Sequence, residues 1–307
     1  MTLFPDIDEL LALRHQARGI GLVSATKTST PLSGLYASVF RGQGMDFDEV
    51  REYRAGDEVR HIDWRVTARM RKPYLKVFRE ERERDVVLCV DCSRKMALAT
   101  QGTFKSIQAA RVAALLGWSA QAHGDRVGGV LFGREALSFF APSRALRTFS
   151  QFLRALAQAP SELNNAPVTD LAHVLPVLSR STDTGSLLFI LTDFNWISVT
   201  TLQRHLSLLH QQHEVVLIAL DDVVDYELPA VGWVNFIEEE GRSVRVNLDD
   251  ETARMRYRQA WHVRRDALIQ TCRRLAIDFF SVHTDQDPYE AVITGLRQRA
   301  ARSRAHR

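Results

Sequence analysis

The sequence contains three cysteines, too few and too odd a number for a disulfide framework, so a reducing compartment is expected. Cys89 and Cys92 form a C-x-x-C, but Cys89 lies inside an apolar run. A redox pair needs its first thiol exposed at a helix N-terminus, so these read as structural thiols. No apolar run reaches bilayer length; the longest, such as LLFIL and VVLIAL, are strand-sized. The N-terminus lacks a basic stretch followed by an apolar one, so no secretory signal is expected. There is no G-x-x-x-x-G-K-[ST] and no G-x-S-x-G, which removes P-loop and α/β-hydrolase chemistry. The histidines lack metal-ligand spacing. A net charge of +3 over 307 residues gives no global argument for nucleic acid. The exception is the acid-free end RQRAARSRAHR, read as a solvated terminus with phosphate or lipid contact as the alternative.

What is present is a regular alternation from residue 85 onward. DVVLCVD, DRVGGVLF, LSFFA, SLLFILTD, EVVLIALDD and IDFFSVHTD read as strands, separated by amphipathic helices. Such alternation implies an α/β fold: a doubly wound, mostly parallel sheet with helices on both faces. Ser143 is the expected cap of SRALRTFSQFLRALAQA, and Thr169 opens TDLAHVL and could cap it. WVNFIEEEGRSVRVNL reads as a hairpin insertion near 232–248, turning at Glu-Gly. The expected division is 1–84, a helix, a linker and a charge-dense segment with β structure, and 85–307, the α/β domain.

Ligands of such sheets bind at carboxyl strand ends. Three strands end on acids, at Asp91, Asp193 and Asp221. Asp91, Ser93, Thr169 and Asp193 together offer two carboxylates and two hydroxyls from three loops, a donor set of the kind Mg²⁺ takes. The other reading is that Thr169 is only a helix cap and the acids are ordinary strand ends. A Ser93–Lys95 nucleophile pair is disfavoured by its spacing and by the lack of an oxyanion hole.

DVVLCVDCSRKM with LLFILTDF resembles a von Willebrand factor A-type domain, a Rossmann-like fold. That family's metal-ion-dependent adhesion site uses Asp-x-Ser-x-Ser, a second-loop Thr and a third-loop Asp. The segment GMDFDEVREYRAGDEVRHIDWRVTARMRKPYLKVFREE resembles the signature of the domain of unknown function 58 family. The matching residues are Phe47, Asp48, Arg51, Tyr53, Gly56, Asp57, Arg60, Ile62, Asp63, Trp64, Ala68 and Arg69, and the resemblance covers about residues 35–300. It implies a bacterial protein working with a MoxR-type AAA+ ATPase and client proteins, as a non-enzymatic adaptor or chaperone-like partner that binds proteins through a degenerate metal-ion-dependent adhesion site at the sheet edge. The expected location is the cytoplasm, with peripheral contact at the inner membrane as the alternative. Asp91, Ser93, Thr169 and Asp193 match the metal positions. Lys95 replaces the usual second serine, and an ammonium has no lone pair to donate. It could place its charge between Asp91 and Asp193, so Mg²⁺ is expected to be weak or absent. Arg51, Tyr53, Asp57, Arg60, Asp63, Trp64 and Arg69 read as a bracing network or a partner-docking face. A metal-dependent hydrolase using the same strand-end acids is the alternative function.

Overall fold

A computed structural model describes residues 5–20, 45–53, 59, 62–80, 84–134, 136–158, 169–195, 197–237 and 243–305. In chain order its elements are α1 (Ile7–Ala12), α2 (Arg14–Ala17), β1 (Met45–Glu52), α3 (Trp64–Met70), β2 (Tyr74–Glu80), β3 (Asp85–Asp91), α4 (Lys105–Ala122), β4 (Arg126–Phe132), β5 (Ser138–Ser143), α5 (Leu146–Ala157), α6 (Leu171–Ser181), β6 (Leu187–Thr192), α7 (Val199–Gln212), β7 (Glu214–Asp221), β8 (Trp233–Ile237), β9 (Ser243–Asn247), α8 (Glu251–Arg274), β10 (Asp278–His283) and α9 (Pro288–Ala305). They fall into two compact units: residues 5–20 with 84–305, and residues 45–80. The N-terminal helices therefore belong to the larger unit, not to the segment that follows them in the chain.

The larger unit is built on a six-stranded sheet of order β10-β7-β6-β3-β4-β5. All neighbours are parallel except β4 and β5, which pair antiparallel at one edge. β3, its first strand, lies inside. The chain winds outward through β4 and β5, then returns to the other side through β6, β7 and β10. The winding reverses between β3 and β6, which is where crevices form in open α/β sheets.

The period-2 pleat sends alternate residues of each apolar strand to opposite faces. Val86, Leu88 and Val90 of β3 join Phe189, Ile218 and Val282 in a core under α4, α5 and α9. Val87 and Cys89 join Ile190, Leu217 and Leu206 in a second core under α6, α7 and α8. Both faces are thus dry, as continuous apolar strands require. α1 and α2 close the first core: Leu10 and Ala17 are fully buried. The Trp118 indole N–H donates to the Leu10 carbonyl at 2.9 Å, and the Ser119 hydroxyl to the Ile20 carbonyl at 2.6 Å.

Three local expectations change. Ala145, not Ser143, holds the cap position of α5; Ser143 ends β5 and accepts the Ala145 N–H at 3.1 Å. Asp170, not Thr169, caps α6, accepting the His173 N–H at 2.9 Å. The basic end is also less free than its composition suggests. α9 runs to Ala305, and Arg299 is buried, donating to Asp278 at 3.0 Å and pairing with Glu214. β8 and β9 form the antiparallel hairpin; its Glu-Gly turn lies outside the described residues. Among the described residues no helix is long and apolar enough to cross a membrane.

In the smaller unit β1 and β2 pair antiparallel, with a bulge between Phe47 and Glu49. Asp63 caps α3 by accepting the N–H groups of Arg65 at 3.0 Å and Val66 at 3.2 Å. Arg71, in the left-handed region, ends the helix.

Candidate functional site

β3 ends on Asp91, whose two oxygens join the site's loops. Oδ1 accepts the Ser93 N–H at 2.8 Å, and Oδ2 accepts the Thr192 hydroxyl at 2.6 Å, tying the ends of β3 and β6 together. Gly133, just past β4, comes close enough that a Cβ there would stand 2.5 Å from Ser93 N and 2.7 Å from Asp91 Oδ1. Its N–H donates to the Thr169 carbonyl at 3.0 Å, and the Thr169 N–H to the Arg134 carbonyl at 3.3 Å. Asp91, Ser93 and Thr169 therefore share one edge, and Asp193 is near enough for its charge to act on Asp91. Burial is the main force raising the Asp91 carboxyl above its usual range, and the Thr192 and Ser93 hydrogen bonds oppose it.

Gly133 also has a φ of +81°. Gly133→Ala is expected to cost about 2–4 kcal/mol, combining left-handed strain with a clash against backbone. Urea denaturation measures it, and a loss below about 0.5 kcal/mol would show that the loop relaxes freely.

Asp193, at the end of β6, accepts the Asn195 N–H on Oδ1 at 3.0 Å. A lysine that the sequence did not single out stands at its other oxygen. Lys105, the first residue of α4, is 0% exposed, and its Nζ lies 3.5 Å from Asp193 Oδ2. The same ammonium donates to Asp225 Oδ1 at 2.8 Å and sits 2.7 Å from Asp225 Oδ2. Lys95 lies half-buried in the single turn Arg94–Met96.

The next strand adds a second layer of charge. Asp221 ends β7 and accepts the buried Arg265 guanidinium at 2.5 Å. Asp222 is fully buried and accepts four donors: the N–H of Thr100 at 2.9 Å, the Thr100 hydroxyl, the Thr284 hydroxyl at 2.7 Å and the Val224 N–H at 3.0 Å. Burial alone would raise the Asp222 carboxyl, but the Thr100 and Thr284 bonds outweigh it and hold it below its usual range. Burial raises Asp225, with the Lys105 charge opposing.

This donor set suits a divalent cation poorly. Each of the four carboxylate oxygens of Asp91 and Asp193 already meets a protein donor, and one of those donors is an ammonium. Lys95 brings no oxygen to the position where the adhesion-site pattern has serine. Among the described residues, no three His, Cys, Asp or Glu side chains gather into a metal-holding group. The thiols are no better as nucleophiles. Burial pushes Cys92 up to about 12, despite Arg134 nearby, and also raises Cys89, inside β3, well above its usual range.

The signature residues separate into kinds. Asp63 is a helix cap. Trp64 is 66% exposed and Arg69 is exposed. The Arg51 guanidinium donates to the Glu52 carbonyl at 3.2 Å, and the Tyr53 N–H to the Pro73 carbonyl at 2.8 Å. Asp57 and Arg60 lie outside the described residues. Sequence reasoning missed Lys105, Thr192, Asp222, Asp225 and Arg265. Two signals were available: a lysine in a helix's first turn, where the dipole opposes it, and the D-x-x-D of Asp222 and Asp225.

A family model described as "Protein of unknown function DUF58" matches residues 49–267. The chain is 29% identical over 290 residues to the uncharacterized protein Rv1480 of Mycobacterium tuberculosis (strain ATCC 25618 / H37Rv), covering 92% of this chain and 88% of that one. Among solved structures it is similar to the conserved hypothetical protein BatB from Bacteroides thetaiotaomicron. The TM-score is 0.44 and the identity 15%, over 71% of this chain and 99% of that one. It is also similar to a von Willebrand factor type A protein from Catenulispora acidiphila, with a TM-score of 0.39 and 11% identity, over 75% of this chain and 44% of that one.

Proposed function

Because this chain belongs to the DUF58 family of proteins of unknown function, we propose that it is a non-enzymatic adaptor whose carboxyl sheet edge captures an acidic surface of a partner protein. The partner class implied by the sequence signature is a MoxR-type AAA+ ATPase, acting with it on client proteins. One observation carries the reading: the strand-end acids are buried and engaged, so the guanidinium groups of Arg94 and Arg264, exposed among the rim acids Asp170, Glu227 and Asp285, are left to meet a partner. Asp91, Asp193, Asp221, Asp222 and Asp225 are all buried. Arg94 and Arg264 are exposed and Lys95 is half-buried. A cavity of about 210 Å³ opens beside Phe194 and Asn195, walled by Ile197 and Leu268 and reached by Arg264 and Arg265. An apolar wall beside guanidinium groups suits a partner carboxylate carried on an apolar segment. The buried thiols and the engaged strand-end carboxylates favour binding over turnover.

The test is a pull-down of a MoxR-type ATPase, repeated without nucleotide and with ADP and ATP. Wild type is expected to retain it in at least one state. Arg94→Glu/Arg264→Glu should weaken retention at least about tenfold, and salt should weaken it too. Trp64→Ala separates this edge from the alternative docking face on α3. Absence of retention in every nucleotide state would refute the proposal.

A further inference from the structure

We infer that the ammonium of Lys105 is the permanent cation of this sheet edge, and that it stands in for a divalent metal and keeps one out. The carriers are geometric. Lys105 is fully buried at the head of α4 and spans two strand ends, reaching Asp225 at 2.7–2.8 Å and Asp193 at 3.5 Å. Lysine is rarely fully buried without partners, and one placed in the first turn of a helix also faces the positive end of the dipole. Its position is therefore held by those two carboxylates. The cation joins α4 to the ends of β6 and β7, as a bound ion would join loops.

The consequence for metal follows from the remaining oxygens. Mg²⁺ takes six oxygens in near-octahedral array, with carboxylates balancing its charge. Asp193 already carries the lysine and the Asn195 N–H. Asp91 spans Ser93 N–H and the Thr192 hydroxyl, so a metal would have to share oxygens that already join β3 to its own loop and to β6. Ser93 and Thr169 would remain as neutral ligands, within the field of a buried positive charge that repels a second one. Metal exclusion does not depend on which partner docks. Only its corollary, capture that survives chelation, rests on the adaptor reading.

The experiment is a Mn²⁺ titration followed by EPR, which involves no partner and so fails separately from the pull-down. Wild type is expected to show no saturable uptake. Lys105→Met/Asp225→Asn removes the cation and one charge together, and the asparagine keeps an oxygen for the Asp222 N–H that Asp225 accepts at 2.7 Å. That variant is expected to take up one saturable Mn²⁺, and to lose it when Asp193→Asn is added. One saturable Mn²⁺ in wild type overturns the inference. So does uptake in neither protein, because Lys105 is then not what excludes metal. Uptake that survives Asp193→Asn also overturns it. If the double variant does not fold, Lys105→Gln is titrated in its place: one saturable Mn²⁺ that is lost on adding Asp193→Asn upholds the inference, and no uptake overturns it.

Discussion

Lys105→Met is expected to destabilise the α/β unit by about 3–5 kcal/mol, the cost of removing one partner from a buried ion pair. Methionine keeps the apolar stem and much of the volume, so the loss comes from charge. Two carboxylates, on Asp225 and Asp193, would lose the cation that now touches them. Burial already raises the Asp225 carboxyl, and the Lys105 charge is the largest opposing influence, so its removal raises Asp225 further. A carboxyl whose folded pKa lies above its unfolded value holds its proton more tightly when folded. Stability then falls as pH rises from the ordinary carboxylate value through the folded one. The deficit of Lys105→Met should therefore be full at neutral pH and narrow on acidification. Urea denaturation at several pH values measures it. A deficit of the same size at every pH would assign the loss to packing. The double variant with Asp225→Asn should recover much of the loss, since replacing a whole buried pair by neutral groups is often close to neutral.

Asp222→Ala should cost about 4–5 kcal/mol. The alanine would strand two hydroxyls and two N–H groups around a fully buried position. Those donors come from the loop before α4, the turn after β7 and the residue after β10, so one side chain holds three connections. The pH signature has the opposite origin from that of Lys105→Met. Asp222 is held below its ordinary range, so its contribution is fully present above the unfolded carboxylate value and is lost as pH falls through the folded one. The gap between wild type and Asp222→Ala should thus close only at strongly acidic pH. A gap under about 1 kcal/mol at neutral pH would mean that water replaces the carboxylate, and that the three connections hold by themselves.

Local rules read the strands well because each is a short apolar run with a turn after it. DVVLCVD and LLFILT are strands as expected, and both stop where an acid leaves the sheet. The same local rules misplaced the caps of α5 and α6. Ser143 and Thr169 have the right chemistry, but strand β5 claims the first, and Asp170, one residue later, captures the turn. Freed from capping, Thr169 instead joins its backbone to Gly133 and Arg134. Lys95 attracted attention because it breaks a short motif. Lys105, ten residues on, had to be seen in three dimensions.

The sequence by itself determined the strand and helix alternation, the two dry faces of the sheet, and the acids at the strand ends. These follow from pleat and helix periodicity, which act within a few residues. Only the tertiary structure decided which cation meets those acids. Lys105 lies 88 positions before Asp193 and 120 before Asp225. A charge is buried where a partner can be brought to it, and the winding order of the sheet, not the neighbouring residues, sets that partner.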